Sequence, residues 1–293
     1  MQRSIEYKIT KEYEAQSILD FLRSKGFSRH LLTSMKADKD AILLNGAHTF
    51  ARTLLKAGDC LSVRILETES SEKIVPVKMD LKIIYEDEDL LVINKPADTP
   101  VHPSQGNYEN TLANGIAYYF HTKGEPFVYR CINRLDRDTT GALILAKNAL
   151  SAALLSQQMQ SRQILRTYLA IAEGITPQKG TISAPIARKK DSSIEREVNF
   201  AHGEPAVTHF ERLAVKDGRS LLELHLETGR THQIRIHMKH LGFPLPGDYL
   251  YNPVYDRIRR QPLHSYQLQF THPMSKKPLL FTAAVPEDFV KAF

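Results

Sequence analysis

The chain has 293 residues, of which 42% are hydrophobic and 25% are charged, a composition typical of a globular protein long enough for two domains. No apolar run approaches the ~18 residues of a membrane helix, and the N-terminal "MQRSIEYKIT" has no export signal. The only two cysteines, Cys60 and Cys131, argue against a disulfide framework and a cysteine-rich metal site. We therefore expect a cytoplasmic protein with no membrane partner.

The chain is mildly basic, with a formal net charge of +6 and a pI of about 9.1. Its basic residues gather in three segments, "RKKDSSIER" at 188–196, "GRTHQIRIHMKH" at 229–240 and "RIRR" at 257–260. Each segment alone is compatible with a solvated surface. Three of them in one region of the chain favour an anionic ligand.

The N-terminal part predicts two short helices followed by small strands. "EAQSILDFLRSKG" has apolar residues at helical spacing and a stop at Gly26, and "SRHLLTSMKAD" has Ser28 as its N-cap. "AILLNGAHTFARTLLKAGDCLSVRI" then predicts strands around the turn signal Asn45-Gly46. Elements this small suit a binding module better than an enzyme core.

A polar segment, "ETESSEKIVPVK" at 67–78, lacks periodicity and contains a proline. Such a composition is typical of a linker. We therefore predict one domain at 1–66 and a second at 79–293.

Strand and helix patterns alternate in the second domain. The predicted helices are "ALSAALLSQQM" and "THQIRIHMKHLG". The predicted strands lie in "LKIIYEDEDLLVINKP", "GALILAKN", "RTYLAIAEG", "AVTHFERLAV", "SLLELHLETG" and "YQLQFTHPMSKKPLLFTAAV". "GALILAKN" is apolar throughout, which indicates burial on both faces. The class is α+β with a large mixed sheet.

The helix predicted in "THQIRIHMKHLG" has Thr231 as its N-cap and Gly242 as its stop. Its spacing directs Ile234, Met238 and Leu241 to the core. Arg235 and Lys239, four residues apart, share another face.

The segment "INRLDRDTTGALILAKN" places Asp136 between Arg134 and Arg137, just before the buried strand. Neighbouring arginines lower the pKa of an aspartate, which makes it a poor proton acceptor near neutral pH. It remains a charged group that can attack or stabilise an electrophilic centre. The simpler interpretation is an ion pair that caps a turn. This segment by itself favours that interpretation over a catalytic role.

Metal and nucleotide sites are weakly supported. Asp136 and Asp138 form a D-x-D pair like that of some sugar transferases, which leaves a metal-dependent sugar or phosphate enzyme as an alternative. His237 and His240 could share a ligand on a helix, but no acidic third partner stands nearby. The phosphate-binding G-x-x-x-x-G-K-[ST], the dinucleotide-binding G-x-G-x-x-G and the hydrolase G-x-S-x-G do not occur.

Three separated segments, "NRLDRDTTG", "RTYLAIAEG" and "TGRTHQIRIHMKHLGFPLPGD", together resemble the RluA-type pseudouridine synthases. "EDEDLLVINKPADTPVHPS" and "LHSYQLQFTHP" resemble the opening and closing strand pairs of that family, so the resemblance spans residues 81–289. In the N-terminal part, "FSRHLL", "LLNG" and "KAGDCLSV" resemble the S4-like RNA-binding domain that often precedes this fold. The resemblance implies a pseudouridine synthase fold, with a mostly antiparallel mixed sheet and flanking helices, after a small S4-like α/β module.

The resemblance assigns roles to individual residues. Asp136 is implied as the catalytic aspartate, Tyr168 as the aromatic residue that stacks on the target base, and Arg235 as the arginine that pairs with the aspartate. The implied RNA contacts are Arg134, Arg137, Arg166, Arg230, His232 and Gln233 in the second domain, and Arg29 and Lys36, with His30 and Lys39, in the S4-like module.

The reaction implied by the resemblance detaches uracil from the ribose, rotates it and rejoins it through carbon 5. It needs no metal, nucleotide or redox cofactor. The aspartate attacks either the anomeric carbon of the sugar or the ring, and the sequence leaves both routes open. The target base must be flipped out of the RNA, at a cost of a few kcal/mol.

Four residues depart from the pattern that is usual in the family. Asn133 replaces histidine, Thr140 replaces serine, Asp98 replaces glycine and Arg166 replaces lysine. All four spare the three implied catalytic residues. We therefore expect an active, monomeric RNA pseudouridine synthase that acts on rRNA, foremost large-subunit rRNA, or on tRNA. The alternative is a non-catalytic RNA-binding protein on the same fold.

Overall fold

The computed structural model describes residues 1–293, the whole chain. The elements of the N-terminal part are β1 (Gln2–Lys8), α1 (Ile18–Ser24), α2 (Arg29–Ser34), β2 (Ile42–Leu44), β3 (Ala47–His48) and β4 (Cys60–Leu66). The four strands form an antiparallel sheet in the order β1-β4-β2-β3. Both predicted helices are present, and the prediction of Ser28 as an N-cap is confirmed, because its hydroxyl accepts a hydrogen bond from the Leu31 amide. The S4-like assignment stays a prediction.

Strand β1 was not predicted from the sequence. Its residues alternate between exposed and half-buried, and it pairs with β4 along its whole length. Its inward residues are Arg3, Ile5 and Tyr7, of which only two are apolar, so hydrophobic periodicity gives only a weak signal there.

The segment 67–78 contains no helix or strand, but it is hydrogen-bonded to the part of the chain that follows it. Glu67 accepts hydrogen bonds of 2.7 and 3.0 Å from Arg130, and the hydroxyls of Ser70 and Ser71 accept bonds from backbone amides near Phe127. The segment is therefore fixed at several points, and the division into two domains on either side of it stays a prediction.

The second part of the chain contains eleven strands and four helices. Its strands are β5 (Lys82–Glu86), β6 (Leu90–Lys95), β7 (Thr140–Ala146), β8 (Leu165–Glu173), β9 (Lys179–Ser183), β10 (Ile186–Arg188), β11 (Arg196–Val198), β12 (Val207–Lys216), β13 (Arg219–Leu226), β14 (Leu263–Thr271) and β15 (Pro278–Thr282). Its helices are α3 (Leu112–Thr122), α4 (Ala149–Gln160), α5 (Gln233–His240) and α6 (Glu287–Ala292). No helix of the chain is long and apolar enough to span a membrane.

Nine of these strands form one sheet in the order β5-β6-β7-β14-β8-β13-β12-β9, with β15 paired to β14. Every pair is antiparallel except β7 with β14. The predicted α+β class with a mixed, mostly antiparallel sheet is confirmed. β10 and β11 form a separate small hairpin, which we call the basic hairpin because Arg188, Lys189, Lys190 and Arg196 lie in it or at its ends.

The predicted burial of "GALILAKN" is confirmed, since all seven residues of β7 are buried. Gly141 has a φ of +111°, and a Cβ there would collide with the backbone of Ser265 on β14. Glycine therefore permits the close parallel contact that anchors the start of β7. The Asp136 loop leads directly into this fixed point.

Helix α5 begins later than predicted. Thr231 is not its N-cap; the cap is His232, in a left-handed conformation with a φ of 58°, and the helix starts at Gln233. Ile234 and Met238 are buried as predicted, but Leu241 is 37% exposed because the helix ends at His240. The predicted stop at Gly242 is confirmed by its φ of +89°.

Candidate active site

Asp136 lies in the loop before β7, and the backbone of this loop is fixed from three sides. The carbonyl of Arg137 accepts hydrogen bonds from the Thr99 amide, at 3.1 Å, and from the Lys95 ammonium, at 2.7 Å. The carbonyl of Asp138 accepts a bond from Arg260 at 3.1 Å. These contacts hold the loop so that the Asp136 side chain has one defined position.

Lys95 is fully buried, although lysine is rarely found without solvent contact. Its ammonium donates to the carbonyls of Pro96, Thr99 and Arg137 at 2.7–2.8 Å. Burial lowers the pKa of Lys95 to about 7, against the opposing charges of Asp138 and Asp136. The side chain ties the end of β6 to the Asp136 loop.

Arg235 reaches Asp136 from α5, 99 residues further along the chain. Its Nη1 donates to Oδ2 of Asp136 at 2.9 Å. Its Nε and Nη2 donate to the two oxygens of Asp248, each at 2.7 Å. Arg235 is 1% exposed, so it is not a surface arginine. The pairing with Asp136 agrees with the arrangement that the resemblance implied, and the catalytic roles stay predictions.

The charges around Asp136 keep it ionised. Burial raises the pKa of this carboxyl, but the charges of His232, in its protonated form, and of Arg235 lower the pKa by more, so the net shift is downward. Burial lowers the pKa of Arg235, and its hydrogen bonds to Asp248 together with the nearby Asp136 raise it above the usual value. The site therefore contains a permanently charged arginine beside an ionised aspartate near neutral pH.

Tyr168 lies on β8 and is 5% exposed. It lines a small pocket together with Asp136, Arg235 and Leu263. Burial raises the pKa of the Tyr168 phenol, so the ring stays neutral. The structure thus brings Asp136, Tyr168 and Arg235 to one pocket from three distant segments.

Arg166 lies two residues before Tyr168, on the same face of β8. Its Nε is buried without a hydrogen-bond partner, and its Nη2 makes only a long contact of 3.4 Å to the Thr228 carbonyl. The guanidinium therefore has unused donors near Tyr168, although Arg166 does not itself line the pocket.

A larger cleft of about 540 Å³ adjoins the pocket, and Asp136 and Arg235 line both. The predicted RNA-contact residues Arg134, Arg137 and His232 also line the cleft. Arg137 pairs with Asp98 and Asp138, at 3.3 and 3.6 Å, rather than with Asp136.

The other predicted contact residues have different surroundings. Arg230 lies at the rim of the pocket, where it pairs with Glu204 and donates to the Pro205 carbonyl at 3.2 Å. Gln233 is 3% exposed, and its amide makes four hydrogen bonds within the protein. These bonds fix the start of α5, which argues for a structural role of Gln233 over RNA contact.

Arg29 and Lys36 line a separate groove in the N-terminal part, together with the exposed cations Arg23, Lys39 and Arg52. We call this surface the N-terminal groove. It has a cavity volume of about 720 Å³, and the exposed ring of Phe50 lies in it. The structure does not bring Arg29 or Lys36 to the Asp136 pocket.

Sequence reasoning missed Asp248 and Lys95 as parts of the site. Both stand in segments that support the resemblance, Asp248 in "PLPGD" and Lys95 in "INKPA". A buried charged residue in such a segment is the signal that could have identified them.

The candidate metal ligands are engaged within the protein. Asp138 accepts a bond from the Asp98 amide at 3.2 Å, and both ring nitrogens of His237 bond to protein oxygens at 2.9 Å. A further group, Asp87, Asp89 and His272, has its ligand atoms within 4.8 Å, but Arg3 binds both oxygens of Asp89. None of these groups resembles an open metal site.

Two departures from the family pattern now have physical explanations. Asp98 has a φ of 51°, a conformation that glycine adopts without strain. The Asn133 amide bonds to the backbone of β7, accepting from Ile144 at 2.9 Å, so it packs the loop instead of facing the cleft.

The chain is similar to proteins described as RNA pseudouridine synthases. The family model described as RNA pseudouridylate synthase matches residues 89–240. The chain is 39% identical to "Uncharacterized RNA pseudouridine synthase YjbO" of Bacillus subtilis over 276 residues, covering 94% of this chain and 97% of that protein. It is 35% identical to "Ribosomal large subunit pseudouridine synthase D" of Neisseria meningitidis over 274 residues, covering 89% and 73%.

Solved structures give the same result. "Human RNA Pseudouridylate Synthase Domain Containing 4" superimposes with a TM-score of 0.59 at 26% identity, covering 72% of this chain and 91% of that one. The matched family region contains Asp136, Tyr168 and Arg235. The chain belongs to the RNA pseudouridine synthase family, and it is an isomerase.

Proposed function

We propose that this enzyme converts uridines of large-subunit ribosomal RNA to pseudouridine, with Asp136 as the catalytic residue. The observation that supports this most directly is the ionised Asp136, fixed by buried Arg235 at 2.9 Å in the same pocket as Tyr168. An ionised, oriented carboxylate suits nucleophilic or charge-stabilising work better than proton abstraction.

In the proposed reaction the bond between N1 and C1′ of uridine breaks, and a bond between C5 and C1′ forms. The hydrogen of C5 leaves as a proton and N1 gains one, so no electrons are exchanged with a cofactor. Asp136 acts at the nucleoside through one carboxylate oxygen, while Arg235 holds the other oxygen, Oδ2. Asp248 positions Arg235 and does not itself contact the substrate.

The two adjoining cavities suggest how the flipped nucleotide is placed. We propose that the uracil ring enters on the Tyr168 side, where stacking on the phenol offsets part of the cost of flipping. The ribose and its neighbours occupy the larger cleft, where Arg134 and Arg137 meet phosphates. Arg166, with a buried and unpartnered Nε, is available to bind a polar atom of the nucleotide.

The N-terminal groove supplies a second binding surface in this proposal. Arg29 and Lys36 lie on exposed positions there, beside the exposed ring of Phe50. Exposed cations beside an aromatic ring are typical of RNA-binding surfaces. We propose that this module, at residues 1–66, binds RNA next to the target site, and that the enzyme acts as a monomer in the cytoplasm.

Large-subunit rRNA is favoured over tRNA because a relative that shares most of this chain is named for that substrate. The test is pseudouridine mapping of rRNA and tRNA in a strain that lacks the gene, complemented with wild type or Asp136→Asn. We expect one or a few large-subunit sites to disappear and only wild type to restore them. Loss of pseudouridines from tRNA instead would mean that tRNA, and not large-subunit rRNA, is the substrate. Restoration of the sites by Asp136→Asn would refute the catalytic assignment.

A further inference from the structure

Tyr251 connects the basic hairpin to the pocket. Its ring is 8% exposed, and its hydroxyl accepts a hydrogen bond from the Arg196 amide, at the start of β11, at 3.0 Å. The same hydroxyl lies 2.9 Å from Nδ1 of His232, the N-cap of α5. One phenol thus bridges the hairpin and the helix that positions Arg235.

The direction of the hydrogen bond between the Tyr251 hydroxyl and Nδ1 of His232 follows from which of the two atoms can carry the shared proton. The Tyr251 oxygen already accepts from the Arg196 amide, and His232 Nδ1 is the only other polar atom bonded to it. If Nδ1 carried the proton, the buried phenolic hydrogen would have no acceptor, which is unfavourable. Tyr251 therefore donates to Nδ1, and the proton of neutral His232 resides on Nε2.

Burial favours this protonation pattern on both residues. Burial lowers the pKa of the His232 imidazole, against the opposing charge of Asp136, and raises the pKa of Tyr251 to about 12. The imidazole is then neutral and the phenol protonated near neutral pH. Nε2 of His232 lies 3.9 Å from Oδ1 of Asp136, while Arg235 binds the other oxygen, Oδ2.

We propose that His232 and Tyr251 are positioning residues, which orient the Asp136 carboxylate through the oxygen that Arg235 does not bind. This inference rests on the proposed function of Asp136. The distance of 3.9 Å is too long for a direct hydrogen bond, but an N–H dipole at that range still attracts a carboxylate. Hydrogen bonds in unbound active sites often shorten when substrate is present.

The main alternative is that His232 contacts RNA directly, as the sequence resemblance implied. The two roles predict different kinetics. Loss of a positioning residue slows the reaction of RNA that is already bound, whereas loss of an RNA contact weakens RNA binding. The test uses large-subunit ribosomal RNA transcribed with uridine tritiated at C5, since isomerisation releases that tritium to water. Single-turnover rate and RNA dissociation constant are measured for each variant.

The variants are Tyr251→Phe, His232→Asn and the double variant. Asparagine tolerates the left-handed conformation at position 232 but is too short to reach Asp136. We expect each single change to lower the single-turnover rate about tenfold, the range expected for a displaced catalytic group, with RNA affinity changed less than twofold. The double variant should be no slower than His232→Asn, because Tyr251 acts through His232.

Two further variants serve as controls. His232→Gln, whose amide nitrogen occupies about the place of Nε2, should recover part of the rate. Tyr85→Phe removes a phenol that donates to Asp87 at 2.7 Å. Tyr85 lies on β5, the edge strand of the sheet, away from the pocket beside β8, so the change should leave the rate unchanged.

Three results would overturn the inference. The first is a wild-type rate in both single variants, and the second is a double variant whose loss of rate equals the product of the two single losses. The third is a loss of RNA affinity with no loss of single-turnover rate. Asp136→Asn in the same assay separates this inference from the proposed function. An inactive Asp136→Asn with an unaffected His232→Asn refutes only the positioning role. An active Asp136→Asn refutes both.

Discussion

Charged residues serve different purposes in the pocket and in the N-terminal groove. At the pocket, Arg235 and Asp248 are almost completely buried and bind each other through two hydrogen bonds. In the groove, Arg29 and Lys36 are exposed and form no ion pair. Buried pairs are weakly screened and fix geometry, whereas exposed cations are screened by salt and attract phosphates from solution. The pocket therefore suits the positioning role proposed for it, and the groove suits the proposed binding of RNA.

The largest effect is expected where a buried partner is removed. In Asp248→Asn the buried Arg235 keeps Asp136 but loses the charge of Asp248 and one of its two acceptor oxygens. We expect the single-turnover rate to fall about 100-fold, because Arg235 no longer holds Asp136 in place. We also expect the free energy of unfolding to fall by about 3 kcal/mol, as for other broken buried pairs. Rate measurement and denaturant unfolding test both parts.

The matched control is Asp256→Asn, which weakens the ion pair between buried Arg219 and half-exposed Asp256, outside the pocket. Arg219 keeps its second partner, Glu173. The rate should not change. An equal loss of rate in both variants would mean that Asp248 acts only through stability.

A smaller effect is expected at one of the contacts between the N-terminal part and the rest of the chain. Arg3 on β1 binds both oxygens of Asp89, which is 3% exposed and belongs to the second domain. Arg3→Met leaves this buried carboxylate with only Asn148 and Ser151, and should lower the free energy of unfolding by about 2 kcal/mol. Arg257→Met, at an exposed pair with Asp217, is the control and should change little.

Denaturant unfolding also shows whether Arg3 couples the two regions. With the contact intact we expect one transition. In Arg3→Met the N-terminal part should unfold first. A variant as stable as wild type would mean that hydrophobic contacts, such as those of Leu150 with the N-terminal core, suffice to join the two parts.

Removing charge from the N-terminal groove should weaken RNA binding without slowing the reaction. For Arg29→Gln with Lys36→Gln we expect the dissociation constant to rise several-fold, and the slope of log K against log salt to drop by about 1–2 units. Filter binding at several salt concentrations measures both. The control replaces Lys11 and Lys56, exposed lysines of the same module outside the groove. Equal losses in the two pairs would refute a specific role of the groove.

The smallest effect concerns pH. Because the pKa of Asp136 is lowered below its usual value of about 4, its ionised form prevails at every pH above that value. The single-turnover rate should therefore stay flat between about pH 5 and pH 8 as far as Asp136 is concerned. A rate that falls as the pH drops through 6–7, and that does so equally in wild type and in His232→Asn, would point to a general base and contradict a nucleophilic or charge-stabilising role.

The sequence predicted the large sheet because its strands are strongly periodic or continuously apolar. β7 is buried throughout, and β13 alternates with Leu222 and Leu224 inward. It did not predict β1 or α3. β1 gains its order by pairing with β4. For α3 the sequence did hold local signals that were not used, namely the capping box at Thr111 and the apolar residues Leu112, Ile116 and Phe120 at helical spacing.

The site was predicted only in part, and for a related reason. The resemblance identified Asp136, Tyr168 and Arg235, but Asp248 and Tyr251 follow α5 in an irregular segment. Their contribution depends on contacts across space, with Arg235 and with the basic hairpin, which no local pattern records. Gln233 was assigned to RNA because it stands in the motif, whereas its four bonds lie within the protein.

The central claim is that Asp136 performs the chemistry while the rest of the molecule binds and positions RNA. The most direct measurement is tritium release from large-subunit RNA by purified wild type and Asp136→Asn, with RNA affinity measured in parallel. The structure predicts that Asp136→Asn binds RNA with wild-type affinity and releases no tritium. Tritium release by Asp136→Asn at a rate near that of wild type would contradict the claim.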